Sequence, residues 1–349
     1  MSVVYKKLED VCEILDSRRV PITAKDRKAG AYPYYGANGL QDYVADYIFD
    51  DELVLLAEDG GNFGSKERPI AYRVSGKCWV NNHAHVLKAK PNMHVDYLCY
   101  ALMFYDTEGL VNGATRQKLT QAAMRQMVIP YRDMTEQLQI IEKISQIVRS
   151  IEKRKEELQL LDQLVKSRFV ELFGEPLANQ KGWQTMSIVE AAPIKSQRGD
   201  LADKVWLLNL DAVEAQTGTV LFKHRVQSGE INASTVYFTT ENVLYSKLRP
   251  YLNKVVMPDE DGVATSEMIP MYPLADRLNR AYLCYWLRSD AFVRHISEKV
   301  AGAKMPRVSM DYFRSLAIEF PPLELQEQFA DFVKRVDKSK HFSELEVAA

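Results

Sequence analysis

Tyr97-Leu98-Cys99-Tyr100-Ala101-Leu102 returns as Tyr282-Leu283-Cys284-Tyr285-Trp286-Leu287, 185 residues later. Gly113-Ala114-Thr115-Arg116-Gln117-Lys118-Leu119-Thr120 returns as Gly302-Ala303-Lys304-Met305-Pro306-Arg307-Val308-Ser309, at an offset of 189. That second offset then holds without a gap: Arg125 falls on Arg314, Ile129 on Ile318, Gln137 on Gln326 and Gln139 on Gln328. Upstream, Val54-Leu55 falls on Val243-Leu244 at the same offset. One short match is chance, but several in the same order mark a tandem duplication. The period is too long for a solenoid, so each copy is domain-sized and buries its own core. Both copies run in one order: β-rich segments, a short helix around Tyr-Leu-Cys-Tyr, a Gly-Ala loop, then an amphipathic helix.

The length of 349 residues agrees with two domains. With 45 basic and 47 acidic residues the net charge is −2, which excludes a binder whose affinity comes from bulk positive charge. It leaves room for a local basic patch. A hydrophobic share of 46% is that of a folded globular chain. No apolar run approaches the roughly 18–20 residues a membrane helix needs. Lys6 and Lys7 are followed by no apolar stretch of signal-peptide type, so a cytoplasmic location is expected. Cys12, Cys78, Cys99 and Cys284 form no Cys-x-x-Cys pair, and buried thiols are expected rather than a zinc ribbon or disulfides.

Short apolar runs bounded by turn residues read as strands. In the first copy these are Leu53 to Ala57 and Cys78 to Leu87; in the second, Trp206 to Leu210, Val236 to Thr240 and Asn242 to Leu248. From Met134 to Phe173 the apolar positions Ile140, Ile144, Ile147, Ile151, Leu158, Leu161, Val165 and Leu172 make a heptad-like seam. Thr135 is its expected N-cap, and Gly174 with Pro176 its stop. A helix of about 60 Å needs a partner for its seam. Leu325, Phe329, Phe332, Val333 and Val336 carry the same periodicity, and the two helices are expected to pair antiparallel and hold the domains apart. The second helix has only about 27 residues after Leu323. Part of the first seam, near Leu161 to Leu172, is therefore expected to be unpaired and filled by a partner subunit or a second copy of the chain.

These considerations give an α+β fold: two tandem-duplicated α/β domains joined by long helices in an antiparallel coiled coil. The expected divisions are residues 1–133, a spacer helix over 134–175, a second domain over 176–321 and a shortened helix over 322–349.

Catalytic signatures fail one after another. Gly76-Lys77 lacks the rest of a phosphate loop, no Glu-x-Lys pair offers a metal-nuclease arrangement, and there is no Gly-x-Ser-x-Gly elbow. Phe320-Pro321-Pro322-Leu323 lacks the flanking residues of an amino-methyltransferase motif, and its prolines suit a strand-to-helix junction. His83-Ala84-His85 places two imidazoles on one face of a strand. No third ligand stands at a diagnostic spacing, so polar or structural histidines are the better reading and no metal is expected.

Binding signatures do better. In Tyr245 to Lys254, alternation places Lys247, Arg249 and Tyr251 on one face of an extended segment, with Tyr245 and Asn253 continuing it. Lys254 closes the basic run. Arginine and lysine contact phosphates or guanine edges, and asparagine pairs with adenine; a solvated strand face is the alternative. Arg116 and Lys118 in one Gly-Ala loop, and Lys304 and Arg307 in the other, suit phosphate contacts, against an incidental charge in a helix-end loop. The aromatic, glycine-rich Tyr32 to Gly39, with Tyr35 and Asn38, reads equally as a third set of DNA contacts or as a tight turn packed on the core. Asn81, Asn82, His83 and His85 form a polar cluster at about the position of Ser266 and Glu267 in the second copy.

Taken together, Tyr34 to Gly39, Val80 to Leu87, Leu244 to Val255, Lys304 to Ser309 and Pro321-Pro322-Leu323 with Gln326 resemble the specificity subunit of type I restriction-modification systems. The resemblance spans nearly the whole chain. It implies two target recognition domains, each reading one half of a split, asymmetric DNA site, with the helix pair as the ruler between them. It implies no catalysis and no cofactor in this chain. The implied partners are double-stranded DNA, methyltransferase subunits using S-adenosylmethionine, and a restriction subunit driven by ATP and Mg. The shortened second helix departs from the family pattern. Two other readings stay open: the specificity part of a single-chain restriction and methylation enzyme, and a coiled-coil scaffold that touches no DNA.

Overall fold

The computed structural model describes residues 3–113, 116–198, 203–231, 234–300 and 304–348, with side chains to residue 340. It divides into two compact units, Met1–Ser150 and Ile151–Ala349.

In the first unit, six strands form one sheet in the order Cys12–Ile14, Ala84–Ala89, Phe49–Ala57, Ala71–Val80, Ala29–Gly36 and Gly39–Val44. The central strand explains the continuous apolar run Leu53 to Ala57, every residue of which is fully buried. Successive side chains point to opposite faces. Val54 and Leu56 pack with Leu87 and the helix Val95–Met103, while Leu53 and Leu55 pack with Val74, Cys78 and Val86 on the other side. With both faces covered, no polar alternation survives. Cys78 to Leu87 is two strands rather than one, because Asn82 and His83 turn the chain between them.

The second unit repeats this plan down to single hydrogen bonds. Val54 pairs with Leu87, and Val243 with Met271. The amide of Leu8 donates to the Met127 carbonyl at 2.8 Å, and that of Ile188 to Leu316 at 2.8 Å. The copies diverge where Ala71–Val80 is continuous in the first. Its counterpart is broken into Val255–Val256 and Gly262–Thr265, which join different sheets. Pro258 lies in the break, where a residue without an amide donor cannot continue the ladder.

Gln137 and Gln326, each fully buried, open the two amphipathic helices and make matching bonds. Gln137 Oε1 accepts from the His94 amide (2.8 Å) and its Nε2 donates to the carbonyls of Asn92 and Arg132. Gln326 Oε1 accepts from the Asn279 amide (2.8 Å) and its Nε2 donates to Arg277 and Pro321. His94 and Asn279 are in turn the N-caps of Val95–Met103 and Arg280–Arg288, the two Tyr-Leu-Cys-Tyr helices.

The long helix runs Met134–Phe173, 40 residues, and stops at Gly174 in the left-handed region (φ 83°). Its cap is Asp133, whose carboxylate accepts from the Glu136 amide at 2.9 Å, and not Thr135. Asp133 sits one residue before the helix, where a carboxylate also meets the positive end of the dipole. In the second unit this helix packs on Leu323–Ala348. Phe169 meets Phe329 edge-on at 5.3 Å, and Asp162 pairs with Lys340 at 2.5 Å. Residue numbers rise on one helix as they fall on the other, so the pair is antiparallel. The expectation of an open seam from Leu161 to Leu172 is thereby corrected. Val165, Phe169 and Phe173 are buried, and Leu161 and Leu172 pack against the same core. The C-terminal helix covers that end because its first turns, with Phe329, Val333 and Val336, are what an antiparallel partner presents there.

All four cysteines are buried thiols. Burial pushes Cys12 up to about 12 and Cys78 and Cys99 to about 11. No described helix is long and apolar enough to cross a membrane.

Candidate nucleic-acid interface

Four segments of the first unit meet at one end of its sheet. Glu58 follows the central strand, and its amide donates to the His83 carbonyl at 2.8 Å. Its carbonyl accepts from the Leu119 amide at 2.7 Å, and the Gly60 amide donates to Gln117 at 3.1 Å. Asp59 and Lys118 form an isolated antiparallel bridge. Asn38 reaches the same place, its Nδ2 donating to the Gly60 carbonyl at 3.0 Å. The turn after the central strand thus anchors the loop carrying Arg116 and Lys118, the tip of the hairpin Ala29–Gly36/Gly39–Val44, and the turn Asn82–His83.

The side chains there form charged pairs. Arg116 Nη2 donates to Asp59 Oδ1 at 2.7 Å, and His83 Nδ1 lies 2.6 Å from the same oxygen. Lys118 Nζ lies 3.0 Å from Glu58 Oε1, whose other oxygen is 2.6 Å from Arg19 Nη1. Beneath them His85 is fully buried, with Nδ1 at 2.6 Å from Asp16 Oδ2 and Nε2 at 2.9 Å from the Leu119 carbonyl. Burial works against ionisation of Asp16 and Glu58. The hydrogen bond from His85 to Asp16, and those from Arg19 and Lys118 to Glu58, outweigh it and hold both carboxyls below their usual range. Ligand atoms of Asp16, Glu58 and His85 lie within 4.8 Å of one another. Arg19 and Lys118 occupy that set with cations of the chain itself.

The second unit builds the same bridge from other residues. Leu248 and Arg307 pair as Asp59 and Lys118 do. The Val308 amide donates to Lys247 at 2.9 Å, the Arg249 amide to Pro306 at 2.8 Å, and the Lys247 amide to Glu267 at 3.0 Å. Glu267 thus takes the place of His83, and its carboxylate receives Arg307 through Nη2 at 2.9 Å and Nε at 3.0 Å.

The thirteen residues expected from sequence therefore fall into groups. Asn38, Asn82, Arg116 and Lys118 are exposed in the first unit, with His83 and Tyr35 half-buried. Tyr251, Lys304 and Arg307 are exposed in the second, with Lys247 and Arg249 half-buried. Two do not fit. Asn81 is 3% exposed, its Nδ2 spent on Gln41 at 3.1 Å and its Oδ1 on the His83 amide at 2.8 Å. Lys254 turns inward to the Leu210 carbonyl at 2.6 Å, and burial lowers its pKa. Nor is Tyr245 to Lys254 extended. The strand ends at Ser246, Arg249 and Asn253 take left-handed φ values of 50° and 51°, and Pro250–Leu252 is a 3-10 turn. Pro250 sets that turn, so alternation no longer assigns faces. His83 and His85 likewise share no strand face, since His83 lies in the turn before Ala84–Ala89. Ala114, Gly302 and Ala303 of the Gly-Ala loops lie outside the described residues. The acidic partners Glu58, Asp59 and Asp16 carry no binding signature in the sequence, and only the fold brings them to these side chains.

A tandem pair of α+β units, each closed by a buried glutamine at the start of its helix and each carrying a cation on the same bridge, defines a duplicated two-unit fold. The chain belongs to the type I restriction modification DNA specificity domain family, whose model matches residues 2–161 and 180–346. It is 37% identical to a putative type I restriction enzyme specificity subunit of Haemophilus influenzae over 139 residues, 40% of this chain and 36% of that protein. It is 21% identical to the EcoDI specificity subunit of Escherichia coli over 349 aligned positions, 88% of this chain and 75% of that one. Among solved structures it matches the S subunit of a type I system from M. genitalium with a TM-score of 0.60 at 12% identity, covering 100% of this chain and 92% of that one. The relatives are specificity subunits of type I restriction enzymes, and the family model places this chain among the specificity subunits.

Proposed function

We propose that the chain reads a bipartite, asymmetric site in double-stranded DNA, each unit contacting one half through its bridge loop. The single observation that carries this reading is the recurrence, in units of different sequence, of one cation-bearing bridge: Lys118 on Asp59 and Arg307 on Leu248. Duplicated folds keep core contacts for stability, but an exposed cation kept at a backbone bridge has no packing role. Basic side chains on a fixed loop suit phosphate contacts, while Asn38, Asn82 and Lys304 beside them offer groups for base edges. A helix of 40 residues, about 60 Å at 1.5 Å per residue, supports the ruler role proposed for the helices.

The helices also carry the proposed docking of methyltransferase subunits. Leu138, Ile147, Leu160 and Leu164 are 49–59% exposed along the long helix, and such side chains favour a protein partner. Those subunits would bring S-adenosylmethionine, and the restriction subunit ATP and Mg, in the cytoplasm. A structure concerned with complex assembly of a type I system matches this fold at a TM-score of 0.56.

A duplex-binding titration over a salt series tests the reading, run on the full chain alone and with methyltransferase subunits added. Salt-dependent binding with sequence preference is expected. No binding at low salt in either form overturns it in favour of a scaffold that touches no DNA. Methyl transfer by the chain alone would instead place catalysis in it.

A further inference from the structure

The bridge in the two units hides an exchange. Gly60 and Arg249 occupy one position: their amides donate across the bridge to Gln117 (3.1 Å) and Pro306 (2.8 Å), and both are left-handed, at φ 62° and 50°. Glycine is the ordinary occupant of that region, and any other side chain there is strained. The second unit nevertheless places its arginine at this position.

The first unit shows what fills that space when no side chain starts there. A Cβ built on Gly60 would lie 3.3 Å from Arg116 Nε, so the guanidinium of Arg116 crosses from the opposite strand to cover Gly60. The residue equivalent to Arg116 in the second unit is Met305, uncharged and 48% exposed. Arg249 crosses the other way, its Nη2 reaching the Lys304 carbonyl at 3.4 Å. Besides the bridge cations Lys118 and Arg307, each unit therefore holds one arginine over this position, supplied by the loop strand in one copy and by the turn strand in the other.

Both guanidiniums are held in orientation. Arg116 is tethered by Asp59 at 2.7 Å, and Arg249 by the Lys304 carbonyl at 3.4 Å. Arg249 Nε has no hydrogen-bond partner among the described residues, although it is shielded from solvent. A phosphate contact needs charge but no fixed fork, whereas a guanine edge needs a guanidinium aimed at O6 and N7.

Resting on the DNA-reading proposal above, we propose that Arg116 and Arg249 are equivalent specificity residues, each reading a guanine at the corresponding place in its half-site. The loop lysine and arginine, Lys118 and Arg307, hold the backbone beside them.

The test is selection from a pool of duplexes with a randomised central stretch, using the full chain alone and with methyltransferase subunits. The wild type is expected to enrich a split motif with a guanine in each half. Arg116→Ala should lose the guanine preference in one half and Arg249→Ala in the other, each by roughly tenfold to hundredfold in discrimination. The double change Gly60→Arg with Arg116→Met rebuilds the second unit's arrangement in the first and should restore the guanine lost in Arg116→Ala. Single alanine variants that keep the wild-type motif, or that weaken all sequences alike while lowering the salt dependence by about one ion, overturn the inference and leave DNA recognition standing. A wild type that enriches no motif overturns both.

Discussion

Phe169 and Phe329 meet edge-on at 5.3 Å, and this contact fixes the direction of the helix pair in the second unit. Phe169 also stacks on Tyr282 at 5.4 Å, so one ring joins the long helix, the C-terminal helix and the Tyr-Leu-Cys-Tyr helix. Edge-to-face rings add to ordinary burial. Phe169→Ala is expected to destabilise this unit by about 3–5 kcal/mol, the cost of emptying a core aromatic site. Lys340→Ala removes the ion pair to Asp162, whose side chain is 48% exposed, and should cost under about 1 kcal/mol. Urea titration of the three proteins checks the order. A Lys340 variant as unstable as the Phe169 variant would show that the pair is held by charge rather than by aromatic packing.

Gln137 and Gln326 give a second expectation with a built-in control. Each is buried and bonds one amide and two carbonyls. Alanine at either position strands those groups away from water, at about 1–3 kcal/mol for each one left unsatisfied. Gln137→Ala and Gln326→Ala should therefore destabilise by similar amounts, each in its own unit, measured by amide hydrogen exchange resolved to peptides. Glutamate in place of glutamine keeps the acceptor but loses the donor, and should retain only the bond from the His94 or Asn279 amide.

Much of this architecture was legible in the sequence because duplication writes the same signals twice. The matched Tyr-Leu-Cys-Tyr helices, the helix Met134–Phe173 and the antiparallel pairing all follow from periodicity and offset. What escaped was local geometry. Residues Tyr245 to Lys254 look extended by alternation, but Pro250 and two left-handed residues break the strand. Lys254 closes a basic run that suggests DNA contact, but it is turned inward to the Leu210 carbonyl. Asn81 likewise reads as a base-contacting side chain and is consumed by Gln41, 40 residues away in sequence. The acidic residues that hold the basic loop, Glu58 and Asp59, carry turn character in sequence; only the fold brings them to Lys118 and Arg116.

The buried network under that loop predicts an acid limit. Asp16 and Glu58 are held below their ordinary values of 3.8 and 4.5. A depressed carboxyl stabilises the fold fully above its unfolded pKa and loses that contribution as pH falls through the folded one. The first unit should therefore hold its stability down to about pH 4.5 and lose it below. Thermal melting between pH 6 and 3 measures this. The Asp16→Asn, Glu58→Gln variant should start less stable at pH 6 and fall less steeply on acidification. An unchanged slope would locate the acid sensitivity elsewhere.

Lys118 and Arg307 make the sharpest test of the bridge as a phosphate contact. Both sit on the bridge strand, and both are paired with a carboxylate, Glu58 at 3.0 Å and Glu267 at 2.9 Å. Those carboxylates aim the cations, whose side chains remain 49% and 46% exposed and so open to an approaching phosphate. Each cation that meets a phosphate releases roughly one counterion on binding. Lys118→Ala and Arg307→Ala should therefore weaken binding about equally for all duplexes, and each should lower the salt slope by about one. The enriched sequence should stay as in the wild type, in contrast to Arg116→Ala and Arg249→Ala. Removing Glu58 instead frees Lys118 from its tether. Glu58→Gln should then leave the salt slope intact while weakening binding through lost positioning. If Lys118→Ala changes the preferred sequence without changing the slope, the lysine reads bases and the division of labour at the bridge is reversed.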